Sequence, residues 1–148
     1  MHRLGLLIGA FGALAVPSVA AEDPIAVRQA IMSSVGAAAG VAGGVMKGEI
    51  TYAPAVGKSA IATIHAAAMT YGDFFPEGAE DAARSKASPK IWTDRAGFDA
   101  ELAKLREAAA AANEAAGRAG PADAAAFAAL MGPIMDECKS CHEKFRLE

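Results

Sequence analysis

ADAAAFAALMGPIMDECKSCHEKF, residues 122–145, reads as one amphipathic helix that closes on a compact group of reactive side chains. Phe127, Leu130, Met131, Ile134, Cys138, Cys141 and Phe145 fall on one broad face at the three- and four-residue spacing of a helix. Gly132-Pro133 predicts a kink or a restart within it, because proline withholds an N–H from the helical ladder. Working outward, alanine is abundant, β-branched residues are sparse, and no window longer than a few residues alternates apolar with polar. The fold class is therefore all-α.

Glycine and proline divide the rest into three more helices. The first is expected from about Asp23 to Lys47, with Pro24 in its first turn and Gly48 as its stop. Gly36, Gly40, Gly43 and Gly44 imply either close approach of another helix or a flat ligand, or a break near Gly43-Gly44. The second spans Pro54 to Tyr71, with Gly72 ending it, and the connection to Lys90 is long enough to fold over the domain. A third is expected from Pro89 to Arg118, with Ile91, Phe98, Leu102 and Leu105 as its core stripe and Gly120-Pro121 at its end. Four helices with two short connections and one longer one predict a four-helix bundle, a fold that builds cofactor sites between facing helices.

The N-terminus carries an export signature. Arg3 precedes an apolar run from Leu4 to Val16, and small residues around Ala20-Ala21 suit a signal peptidase. Residues 1–21 are assigned as a signal peptide and 22–148 as the mature domain; the apolar run is short for a membrane anchor. Losing the single charge of Arg3 takes the formal charge from −3 to −4. Lys and Arg are scattered rather than striped, which argues against nucleic acid as a partner. About 127 mature residues suffice for one core.

Cys138-Lys139-Ser140-Cys141-His142 fits C-x-x-C-H, a haem-attachment pattern. The two thiols are spaced to reach the two vinyl groups of one haem, and His142 presents a nitrogen to the iron. Two other readings compete. A thioredoxin-like pair needs a βαβ setting, which is missing here, and a zinc site needs a fourth ligand, for which only His65 and scattered carboxylates are available. A disulfide across so small a loop would add little stability.

The sixth iron position is open in the residues alone. Met32, Met46, Met69, Met131 and Met135 are candidates, but Met131 and Met135 share a helix with His142 and cannot reach the opposite face of the same haem. Met32 has Arg28 one turn before it and Gly36 one turn after, a plausible wall for a flat anionic macrocycle; a methionine at such spacing is also an ordinary core residue. His65 reads as a partly buried or surface residue and Trp92 as packing. Arg146, four positions after His142, emerges beside the haem to pair with a propionate or face solvent.

Taken together, Arg28-Gln29-Ala30-Ile31-Met32 with Gly36, Lys47-Gly48-Glu49, Ser88-Pro89-Lys90-Ile91-Trp92 with Phe98, and Cys138 through Arg146 resemble the class II c-type cytochromes. That family includes cytochrome c prime and its low-spin c-556 relatives, and the resemblance covers the mature chain. It implies an antiparallel four-helix bundle with one covalently bound haem c in the periplasm, thioethers at Cys138 and Cys141, and His142 as proximal ligand. Arg28, Gln29 and Arg146 would lie near the haem edge and Met32 at the distal position. Two activities follow from the two branches. In one, Met32 closes a six-coordinate site that carries single electrons between periplasmic redox partner proteins. In the other, the iron stays five-coordinate and binds small gases such as nitric oxide, commonly in a homodimer. The segments Lys47–Glu49 and Ser88–Trp92 look more like the c-556 branch, which favours the electron carrier; neither activity is that of an enzyme.

Overall fold

The computed structural model describes residues 23–148, so the assigned signal peptide lies outside the described residues. Its helices are α1 (Pro24–Met46), α2 (Pro54–Thr70), α3 (Lys90–Thr93), α4 (Arg95–Ala116) and α5 (Ala124–Phe145), with a 3₁₀ turn at Tyr71–Phe74. α1 packs on α2 and α5, and α4 also packs on α2 and α5, so each long helix touches its two neighbours around a ring. That ring is an antiparallel four-helix bundle, as its connections predict.

Local chemistry sets the boundaries. Asp23 caps α1 by accepting from the Ile25 N–H at 3.0 Å, and Pro24 occupies the first turn, where its missing N–H costs nothing. Asp123 caps α5 through the Ala126 N–H at 2.8 Å. α1 runs unbroken through Gly43-Gly44 to Met46. Ile50 lies so close to Gly44 that an added Cβ would sit 2.6 Å from its Cδ1, so the close approach at that glycine comes from the chain's own following connection rather than from another helix or a flat ligand. Among the described residues α1 is the one helix long and apolar enough to cross a membrane, yet it carries the buried Arg28 and forms a wall of the bundle.

Three boundaries differ from the sequence reading. The helix expected from Pro89 to Arg118 is two helices, because Asp94 leaves helical geometry and caps α4 through the Gly97 N–H at 3.1 Å. α4 then ends at Ala116, before Gly117 at φ 57° and Gly120 at φ 89°. α2 ends at Thr70, within a residue of the expected Tyr71, and the chain then tightens into the 3₁₀ turn, with buried Gly72 against Leu102. α5 neither restarts nor ends at Gly132-Pro133. Pro133 and Ala129 both face solvent, so the carbonyl that loses its helical partner is on the wet side.

The interior has two parts. Ile61, Ile64, Phe127, Met131 and Ile134 are fully buried along the bundle axis. Phe75, Ile91, Phe98, Leu102 and Phe145 form a second, aromatic-rich cluster, in which Phe98 meets Phe75 at 4.9 Å and Phe145 at 5.5 Å edge-on. Between these clusters lies the site.

Candidate functional site: a cavity walled by α1, α4 and α5

A cavity of about 580 Å³ opens between α1 and α5, within the ~300–1,000 Å³ range of small-molecule sites. Helical periodicity supplies two of its walls. Arg28, Met32 and Gly36 follow one another at four-residue steps along α1, and Met135, Cys138 and Cys141 at three-residue steps on α5, with His142 one turn on from Cys138. Phe98, Leu102 and Leu105 of α4 form an apolar floor. An added Cβ at Gly36 would meet nothing within 4 Å, so this part of the α1 wall is left thin.

The long connection between α2 and α3 does fold over the domain. Ser85, Lys86 and Ala87 line the cavity, and this segment is fastened to the C-terminus: Ser88 N–H donates to Phe145 O at 2.9 Å and Leu147 N–H to Lys86 O at 2.8 Å. At its other side Gln29 donates to the Arg84 carbonyl, and Arg84 pairs with Asp23.

All seven residues singled out in the sequence, Arg28, Gln29, Met32, Cys138, Cys141, His142 and Arg146, line this one cavity. His65 is half-buried and does not. Among the other methionines, Met46 and Met69 are exposed, Met131 is sealed in the core, and Met135 lines the cavity from the same helix as His142. Trp92 packs at the edge of the aromatic cluster, its indole N–H donating to Pro76 O at 2.9 Å.

Arg28 tests whether an anionic flat cofactor fits. It is 2% exposed, has no carboxylate partner among the described residues, and donates to Ala79 O at 2.9 Å and Phe74 O at 3.3 Å. Its Nε is buried without a partner. Such a group is costly unless something negative completes it. An acidic group bound in the cavity that Arg28 lines would do so, and the apolar walls suit a macrocycle.

The thiols fit attachment better than redox exchange. Burial raises the pKa of Cys138, and burial followed by the nearby Glu101 carboxylate raises that of Cys141 to about 11, the reverse of a reactive thiolate. Loss of solvent, then the Arg146 guanidinium, pushes His142 below its ordinary pKa and favours the neutral, ligating imidazole. Among the described residues no group of three or more His, Cys, Asp or Glu is arranged to hold a metal ion, so the zinc reading finds no fourth ligand.

Several site residues escaped the sequence reading. Tyr71 lines the cavity, its phenol held protonated by burial, with a pKa raised to about 12. Glu101 is buried beneath the motif at 4% exposure. Its signal was its position, three residues after Phe98 and four before Leu105, which sets a carboxylate on the core stripe.

The cytochrome c′ family profile matches residues 23–146. A cytochrome c′ of Rhodopseudomonas palustris is 37% identical over 87% of this chain and 85% of its own length. A cytochrome c-556 of Agrobacterium fabrum is 34% identical over 93% and 90%. The solved structure of cytochrome c′ from Rhodopseudomonas palustris superposes with a TM-score of 0.77, at 34% identity, covering 86% of this chain and 98% of that one. The chain thus belongs to the cytochrome c′ family of class II c-type cytochromes, and its cofactor is one covalently attached haem c.

Proposed function

We propose that this haem c protein, an electron carrier or gas binder by family, is a periplasmic one-electron carrier with a closed iron site. Cys138 and Cys141 would hold the haem through thioethers, and His142 and Met32 would ligate its iron. The observation that carries the reading is that Met32 and His142 line one cavity from α1 and α5, two helices packed against each other. When bound, haem c supplies a one-electron iron couple. Fixed ligands on both faces suit that role, because ligation need not change with charge. Arg28, with its buried Nε, would meet an acidic group of the haem, Gln29 and Arg146 would flank it, and Phe98, Leu102 and Leu105 would exclude water.

The partners are other periplasmic redox proteins and, on the outer α1–α2 face, a second copy of the chain. Ala37, Val41, Val56 and Ser59 line an uncovered groove of small side chains there, suited to close helix packing. The alternative function is a five-coordinate site that binds small gases, with Met32 as a steric wall; the 37% identity to a protein named cytochrome c′ favours keeping it.

The test is spectroscopic. Protein from cells with a c-type maturation system should keep its haem on the polypeptide after denaturation, and the reduced form should be low-spin with sharp visible bands and resist carbon monoxide. Haem lost entirely into acidified organic solvent would sink the attachment. A high-spin reduced form that takes up carbon monoxide readily would replace the carrier with the gas binder.

A further inference from the structure

We propose that Glu101 is a positioning residue for the haem-bearing turn, and that its buried charge holds down the reduction potential of the group carried there. Its carboxylate accepts from Ser140 Oγ at 2.6 Å, from Lys104 Nζ at 2.8 Å and from Lys144 Nζ at 2.9 Å. Two of these three donors belong to the haem-bearing segment: Ser140 stands between Cys138 and Cys141, and Lys144 follows His142 by two residues. Lys104 shares α4 with Glu101, but the bonds from Ser140 and Lys144 cross from α5 and both end on Glu101, so one side chain ties the haem-bearing turn to its neighbouring helix.

A carboxylate on a core stripe between Phe98 and Leu105 is an expensive choice for packing alone, where an apolar residue would serve. Its side chain is 5% exposed, whereas those of Lys104 and Lys144 are 54% and 45% exposed. Solvent therefore screens the two cations more than it screens the anion. The unbalanced field at Cys141 is negative, and it opposes the arrival of an electron in the adjacent cavity. Hydrogen bonding and burial around a ligating segment are recognised determinants of haem potential.

This inference rests on attachment at Cys138, Cys141 and His142 and is independent of the sixth ligand. The experiment is a potentiometric titration of the holoprotein at low ionic strength, after denatured wild type has been shown to retain its pigment; failure at that first step condemns the attachment reading, not the role of Glu101. Glu101→Gln, which keeps the shape and one accepting oxygen for the lysines, turns the Ser140 hydroxyl from donor to acceptor and removes the charge, should raise the potential by the equivalent of about tenfold in the oxidised-to-reduced ratio, about 59 mV for one electron. Glu101→Asp should stay near wild type, a rescue that a purely packing role would not produce. A Glu101→Gln potential equal to wild type overturns the proposal. Should that variant fail to retain haem, Lys104→Gln decides: removing a half-exposed compensating cation should shift the potential downward, and no shift or an upward one overturns it.

Discussion

Arg28 on α1 and Phe75, beyond the 3₁₀ turn, form a cation–aromatic pair, with the guanidinium carbon 4.9 Å from the ring centroid and Trp92 at 5.6 Å on the same cation. The same guanidinium donates to the carbonyls of Phe74 and Ala79, so a single buried side chain holds the start of the long connection against α1. Arg28→Ala should lower unfolding stability by about 3 kcal/mol, from lost charged hydrogen bonds and lost aromatic contact. Arg28→Met, which keeps the apolar stem, should lose less. Urea unfolding of the holoproteins checks the order; equal losses would mean that the cation alone, with no share from the packed stem, holds the connection.

Acid should weaken the bundle through Glu101. Hydrogen bonds from Lys104, Ser140 and Lys144 lower its pKa from 4.5 to about 2. A folded-state pKa below the unfolded value means that the unfolded chain binds more protons, so stability rises with pH across this interval. The contribution is complete above about pH 4.5 and is lost as pH falls toward about 2. Urea midpoints between pH 5 and pH 2 should fall more steeply for wild type than for Glu101→Gln; parallel curves would show that the buried carboxylate is not the acid-sensitive group.

Met32→Ala distinguishes a ligand from a wall. Met32 is half-buried and packs against the core that also holds Met135 and Cys138, so its truncation should cost about 2–3 kcal/mol in either case. Only a ligating Met32 also predicts that the reduced variant changes from low-spin to high-spin and gains carbon monoxide binding. A variant less stable but spectroscopically unchanged would remove Met32 from the iron.

Gly120 predicts a purely structural failure far from the haem motif. Its φ is 89°, and an added Cβ would lie 2.1 Å from the Pro54 carbonyl oxygen at the start of α2. Backbone cannot yield as a side-chain tip can. Gly120→Ala should therefore destabilise the protein by about 2 kcal/mol or more, while the visible spectrum of the folded fraction stays that of wild type. A thermal midpoint equal to wild type would show that the α4–α5 turn relaxes freely.

The sequence by itself determined the helical class, the four long helical runs and the C-x-x-C-H motif at Cys138, Cys141 and His142, because each is local. Helical spacing, caps such as Asp23 and Asp123, and a C-x-x-C-H pentapeptide are all complete within a few residues. It also brought Arg28, Met32 and Gly36 onto one face, since four-residue steps do so in any helix. Only the tertiary structure decided what those faces meet. The break at Asp94 depends on a cap competing with helix continuation, and the passage of α5 through Pro133 depends on which side of the helix is wet. Glu101 and Ser140 are 39 residues apart in the chain, and Arg28 and Ala79 are 51 apart. No periodicity links such pairs. They meet because burying the apolar stripes of four helices fixes their rotations, and that packing brings a carboxylate under the C-x-x-C-H motif and a buried guanidinium to the cavity wall.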